Sequence, residues 1–103
     1  MRKSKINISG FKIGTAENRE GLTGVTVILA PDGGATAGVD VRGCAPGTRE
    51  TDLLDPRKTV QKIHAVVLSG GSAFGLEAAS GCVKYLAEQG VGFPIGNVCV
   101  PIV

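Results

Sequence analysis

Ser72 stands in the run SGGSAFGL, Ser69 to Leu76, behind an apolar string and ahead of an amphipathic segment. A serine on a strand-to-helix turn is a candidate acyl-transfer nucleophile, because such a turn exposes Oγ and aims free backbone N–H groups at a developing oxyanion. The motif for that chemistry is G-x-S-x-G, with small residues two places before and two after the serine, since the backbone turns sharply there. Gly70 satisfies the first position, and Phe74 fails the second. A base is missing too. His64 is the only histidine and lies upstream within the apolar string, where it reads as a structural strand residue. Ser72 is therefore not read as a hydrolase nucleophile, and no residue of this chain is assigned a catalytic role.

The same run lacks the G-x-x-x-x-G-K-[ST] of a P-loop and the three-glycine spacing of a dinucleotide fingerprint. It still offers a binding surface. The N–H groups of Gly71, Ser72 and Ala73 lie at the positive end of the expected helix, where a carbonyl oxygen, carboxylate or oxyanion can be held. The alternative is that Ser72 merely caps the helix and the glycines allow tight packing. Phe74 falls about 60° from Glu77 on the helical wheel, off the apolar stripe, so it faces a cleft beside the turn or packs on the preceding loop.

The elements that position the turn follow from periodicity. Ile63 to Leu68 is Val-rich, broken only by His64, and reads as a strand covered on both faces. From Ala73 to Gln89 the period becomes helical, with Ala79, Cys82, Val83, Leu86 and Ala87 on one face and Glu77, Ser80, Lys84 and Glu88 opposite; Gly90 ends it. Upstream, GVTVILA (Gly24 to Ala30), the turn PDGG and ATAGVDVR (Ala35 to Arg42) predict an antiparallel hairpin. Gly43 to Thr59, with Pro46, Gly47 and Pro56, predicts a long ordered loop with a short helical turn. At the C-terminus, VGFPIGNVCVPIV enters an apolar strand and stops. Leaving Val98, Val100, Ile102 and Val103 bare forfeits about 1.5 to 3 kcal/mol each, so another chain is expected to cover this end, or the sequence is a fragment.

At 103 residues the chain allows one domain or domain fragment, residues 1–103. A net charge of +2 from 11 basic and 9 acidic residues, with three Phe and one Tyr, gives neither a basic stripe nor a stacking platform, which excludes nucleic acid as a partner. Cys44, Cys82 and Cys99 are odd in number and widely spaced, indicating neither a disulfide framework nor a metal site and fitting a cytoplasmic setting. MRKSKINISG is basic with no apolar segment behind it, and no stretch is long enough to span a membrane, so no export signal and no membrane partner are expected.

Taken together, GVTVILAPDGG, AGVDVRGCAPGTRETDLLDP, HAVVLSGGSAFGLEAASG and GVGFPIG with VPIV resemble, in order and over roughly residues 8 to 103, the L-aminopeptidase/D-esterase family of N-terminal-nucleophile-like hydrolases. That family includes D-aminopeptidases, β-peptidyl aminopeptidases and nylon-oligomer hydrolases. The resemblance implies an α/β fold, part of a four-layer α/β/β/α sandwich with a mixed sheet, incomplete in this chain. It also implies a precursor that cleaves itself, freeing a Ser or Thr nucleophile on a second subunit. The match is to the N-terminal portion of the first subunit, so the nucleophile would lie beyond Val103. No metal or organic cofactor is implied. The expected partners are a small peptide, amide or ester substrate, the rest of the precursor or second subunit, and further copies in a homo-oligomer. By the same resemblance Ser69, Gly70, Gly71, Ser72, Phe74 and Leu76 wall the substrate cleft. Cys44 stands where the family commonly has Gly, and KIGTAEN varies a segment that often contains His. The competing reading is a non-catalytic α/β module that binds a small anion or a partner chain at its glycine turn.

Overall fold

The computed structural model describes residues 8–103. The basic stretch read from Met1 to Lys5 lies outside them. Three antiparallel strands, β1 (Lys12–Asn18), β2 (Thr23–Leu29) and β3 (Ala65–Ser69), form a sheet in the order β1-β2-β3. A 3-10 segment at Ser72–Glu77 leads into the helix α1 (Ala78–Glu88), and a small hairpin of β4 (Phe93–Ile95) and β5 (Val98–Val100) follows. The described part is thus a mixed α/β unit of antiparallel sheets and one helix.

Cross-strand register explains which side of the sheet the helix covers. Val25, Val27 and Leu29 pair with Ser69, Val67 and Ala65, so all six point to one face. Onto that face α1 turns Cys82 and Leu86, and these form with Ala65 a buried cluster against which Val27, Leu29, Val67, Val91 and Val103 pack. Ala79, Cys82 and Leu86 are buried as the helical period predicts, while Val83 is half-buried and Ala87 exposed. The covered stripe is narrower than five apolar positions suggested because one helix over three short strands touches along a single line. Its end is closed by Gly90 N–H to the Ala87 carbonyl and Val91 N–H to the Leu86 carbonyl.

Two expectations are corrected. Ala35 to Arg42 does not form a hairpin with Gly24 to Ala30. Residue Ala35 makes one bridge to Ile63, and β2 pairs instead with β1 and β3. PDGG does turn the chain, with Gly34 N–H donated to the Pro31 carbonyl, but both edges of β2 are already occupied and no place is left for a third partner. KIGTAEN, the true partner of β2, was missed as a strand because Gly, Ala and Asn weaken its β pattern. Nor is β3 covered on both faces: Val66 is 40 % and Leu68 59 % exposed. The expected loop with a short helical turn is present, its 3-10 turn at Asp52–Leu54.

Candidate functional site

β3 delivers the chain into the glycine turn, and the turn is held from both sides. Gly70 N–H donates to the Gly24 carbonyl at 2.9 Å, tying the end of β3 to the start of β2. Gly71 then takes φ +95° and Ser72 φ +57°, both left-handed, which reverses the chain within two residues. Glycine adopts that conformation freely, and Ser72 is strained there. Directly beyond, Gly75 passes so close to Gly70 that any side chain would meet the Gly70 carbonyl oxygen. The close approach that an elbow places two residues after its serine therefore occurs here three residues after it.

The cap position of the 3-10 segment is Gly71, with Ser72 its first residue and no side-chain capping bond, so the capping alternative is corrected. The strained strand-to-helix turn shares its shape with a nucleophile elbow. It lacks the elbow's partners. His64 sits at the opposite end of β3, buried, and its Nδ1 accepts the Ile102 N–H at 3.0 Å. Burial lowers the pKa of His64 and favours its neutral form, and its side-chain hydrogen bond is to Ile102, not Ser72.

Five of the six sequence-predicted wall residues divide between two hollows. A hollow of about 410 Å³ is lined by Gly70, Gly71 and Phe74, with Glu17, Asn18 and Thr23 from the β1 and β2 ends opposite. Phe74 is 93 % exposed, which corrects packing against the preceding loop and leaves its ring over this hollow. Leu76 lines a second hollow of about 500 Å³ between β3, the 37–54 loop and the start of α1. Ser69 borders both, and Ser72 lines neither. A larger, open groove of about 1020 Å³ along the β1–β2 hairpin also reaches Gly70 and Gly71.

Arg49 was missed by sequence reasoning. From the long loop its Nη1 donates to the Leu76 carbonyl at 3.2 Å and to Ser80 Oγ at 2.8 Å, fastening the loop over the second hollow. No local pattern marks a contact to residues so far along the chain. Among the described residues no group of three or more His, Cys, Asp or Glu side chains converges as a metal site. No helix among the described residues is long and apolar enough to cross a membrane.

Comparison with known proteins agrees with the four motif blocks. An uncharacterized aminopeptidase of Mycobacterium tuberculosis is 54 % identical over 80 residues, 78 % of this chain and 23 % of that protein. The 6-aminohexanoate-oligomer endohydrolases of a Kocuria species and of Paenarthrobacter ureafaciens are 38 % and 39 % identical over 85 residues, 82 % of this chain and 21 % of each of theirs. The chain thus spans between a fifth and a quarter of the length of these relatives. The model of peptidase family S58 matches residues 5–103, nearly the whole sequence, and the chain belongs to that family.

Proposed function

We propose that this chain is the N-terminal part of a self-processing hydrolase that cleaves amide or ester bonds of N-terminal residues in small peptides, amides or esters. The observation that carries the reading is family membership combined with a glycine turn in which Gly75 packs against the Gly70 carbonyl too closely for any side chain. On this reading Ser69, Gly70, Gly71, Ser72, Phe74 and Leu76 wall the substrate cleft, and the turn's N–H groups serve as dipole donors to a carbonyl or oxyanion. The nucleophile is a Ser or Thr freed by cleavage downstream, with its own amine as base, which requires no metal or organic cofactor.

The uncovered side of the sheet supports the four-layer architecture. Ile13, Ile28 and Val66 align across the three strands, with Leu68 two residues on, and this row faces away from α1. An apolar sheet face of this kind packs on a second sheet, and each such side chain gains about 1.5 to 3 kcal/mol on burial. The rest of the precursor would supply that sheet, and the processed enzyme would act as a cytoplasmic homo-oligomer.

The test is expression of the complete reading frame, intact-mass measurement, and assay on amino-acid amides and esters and on a 6-aminohexanoate oligomer. Two chains from one precursor, with hydrolysis of at least one substrate class, are expected. A single uncleaved chain without hydrolysis would leave the glycine turn as an anion-binding or chain-binding surface.

A further inference from the structure

His64 is the one buried polar residue among the described residues; its carbonyl accepts the Ala30 N–H, and its other hydrogen bonds are with the C-terminal segment. Its backbone N–H donates to the Ile102 carbonyl at 2.8 Å, and its Nδ1 accepts the Ile102 N–H at 3.0 Å. Both backbone groups of Ile102 are therefore satisfied by one residue. A side-chain nitrogen stands where a strand partner's carbonyl would normally accept, and only an imidazole with Nδ1 unprotonated can do so. The proton of neutral His64 is accordingly on Nε2. We propose that His64 and Ile102 form a proton-sensitive clasp, in which neutral His64 pins the C-terminal segment to the edge of β3 and protonated His64 releases it.

The chemistry of release is a direct competition for one lone pair. A proton on Nδ1 displaces the Ile102 N–H and sets two donors face to face at a buried histidine. The ionisable side chains on the segments around His64 do not offset this. Lys62 and Asp32 are exposed, residues 101–103 carry none, and α1 contributes Cys82, a thiol that burial keeps neutral. Burial lowers the pKa of His64 below its ordinary value, so the opened state binds the proton more readily than the closed one. The clasp is then fully closed above about pH 6.5, and opening grows by up to about tenfold for each pH unit below it until the closed-state pKa is reached. Ile102 and Val103 also border the hollow that Ser69 and Leu76 line, so release alters one wall of that hollow.

Hydrogen exchange on the product of the complete reading frame tests this, with rates corrected for the intrinsic pH dependence of exchange. Between pH 7.5 and 5.5 the peptide containing Ile102 should lose protection while the α1 peptide keeps it. His64→Asn places a non-titrating oxygen where Nδ1 lies, and it should hold protection across that range. His64→Phe should be unprotected at both pH values; if it does not fold, the Asn variant alone decides. Protection at Ile102 that is independent of pH in the wild type, or that falls equally in His64→Asn, overturns the proposal. None of these readouts depends on hydrolytic activity.

Discussion

Gly75 and Gly70 are in backbone contact across the turn: a Cβ on Gly75 would overlap the Gly70 carbonyl oxygen and lie 3.1 Å from Ser69 Oγ. Gly75→Ala must therefore open the turn or push the 3-10 segment off β3. Overpacking of this kind costs about 1 to 3 kcal/mol. Thermal melting of the complete protein should show the loss, with turnover falling further than stability. Melting and activity like those of the wild type would mean that the turn tolerates a different path.

Gly71 separates a role in the site from a role in the fold. A Cβ there would come no nearer than 3.6 Å to another atom, so space does not forbid it, but φ +95° does strain any other residue. Gly71→Val should reduce turnover more than it reduces melting temperature, because its branched side chain shields the N–H groups of the turn. Equal losses in both would assign Gly71 to folding alone.

Arg49→Ala should free the loop without harming the core. The two bonds to Leu76 and Ser80 are surface-exposed, so the cost to global stability is small, about 0.5 to 1.5 kcal/mol. Faster hydrogen exchange confined to the loop around residues 43–59 is the expected signature. Unchanged exchange there would show that other contacts hold the loop.

Asp55 and Arg57 give a local pH marker. The Arg57 side chain, and then its backbone N–H, bond the Asp55 carboxylate and lower its pKa from the ordinary 3.8 to about 2. A depressed carboxylate pKa contributes stability above about pH 4 that is lost as pH falls toward 2. The pair is at the surface, so the effect is seen in titration and hardly in stability. Arg57→Ala should move the NMR titration midpoint of Asp55 back toward 3.8, less whatever the remaining backbone N–H retains. An unmoved midpoint would assign the shift to another group.

Much of this was legible in residue pattern, and the misses share a cause. The α1 stripe and its Gly90 stop are local, and so is the glycine turn, so spacing alone reveals them. Strand partners are not local. PDGG correctly marked a turn after β2, yet the partner of β2 was the preceding KIGTAEN, whose Gly14 and Ala16 hide its strand character. Likewise the apolar run ending at Val103 is expected to be bare without another chain; Val98 and Val100 are exposed, but Ile102 is buried and bonded to His64, a contact that spacing cannot show. At the turn the six expected residues do lie near one another, but five of them line two different hollows and Ser72 lines neither. Which of them faces outward depends on the left-handed φ values of Gly71 and Ser72, and no residue pattern signals a left-handed serine.

The most direct test of the account is covalent. Ser72 has the strained turn of an elbow without its base, so the account places the acylated residue elsewhere, on a serine or threonine freed at a new N-terminus. The complete protein should be trapped with a slowly deacylating ester, digested, and mapped by mass spectrometry, alongside Ser72→Ala treated in the same way. Acylation is expected at a downstream N-terminal Ser or Thr in both proteins, with the Ala variant labelled at an equal or modestly reduced rate. An acyl group on Ser72, abolished by Ser72→Ala, would contradict it.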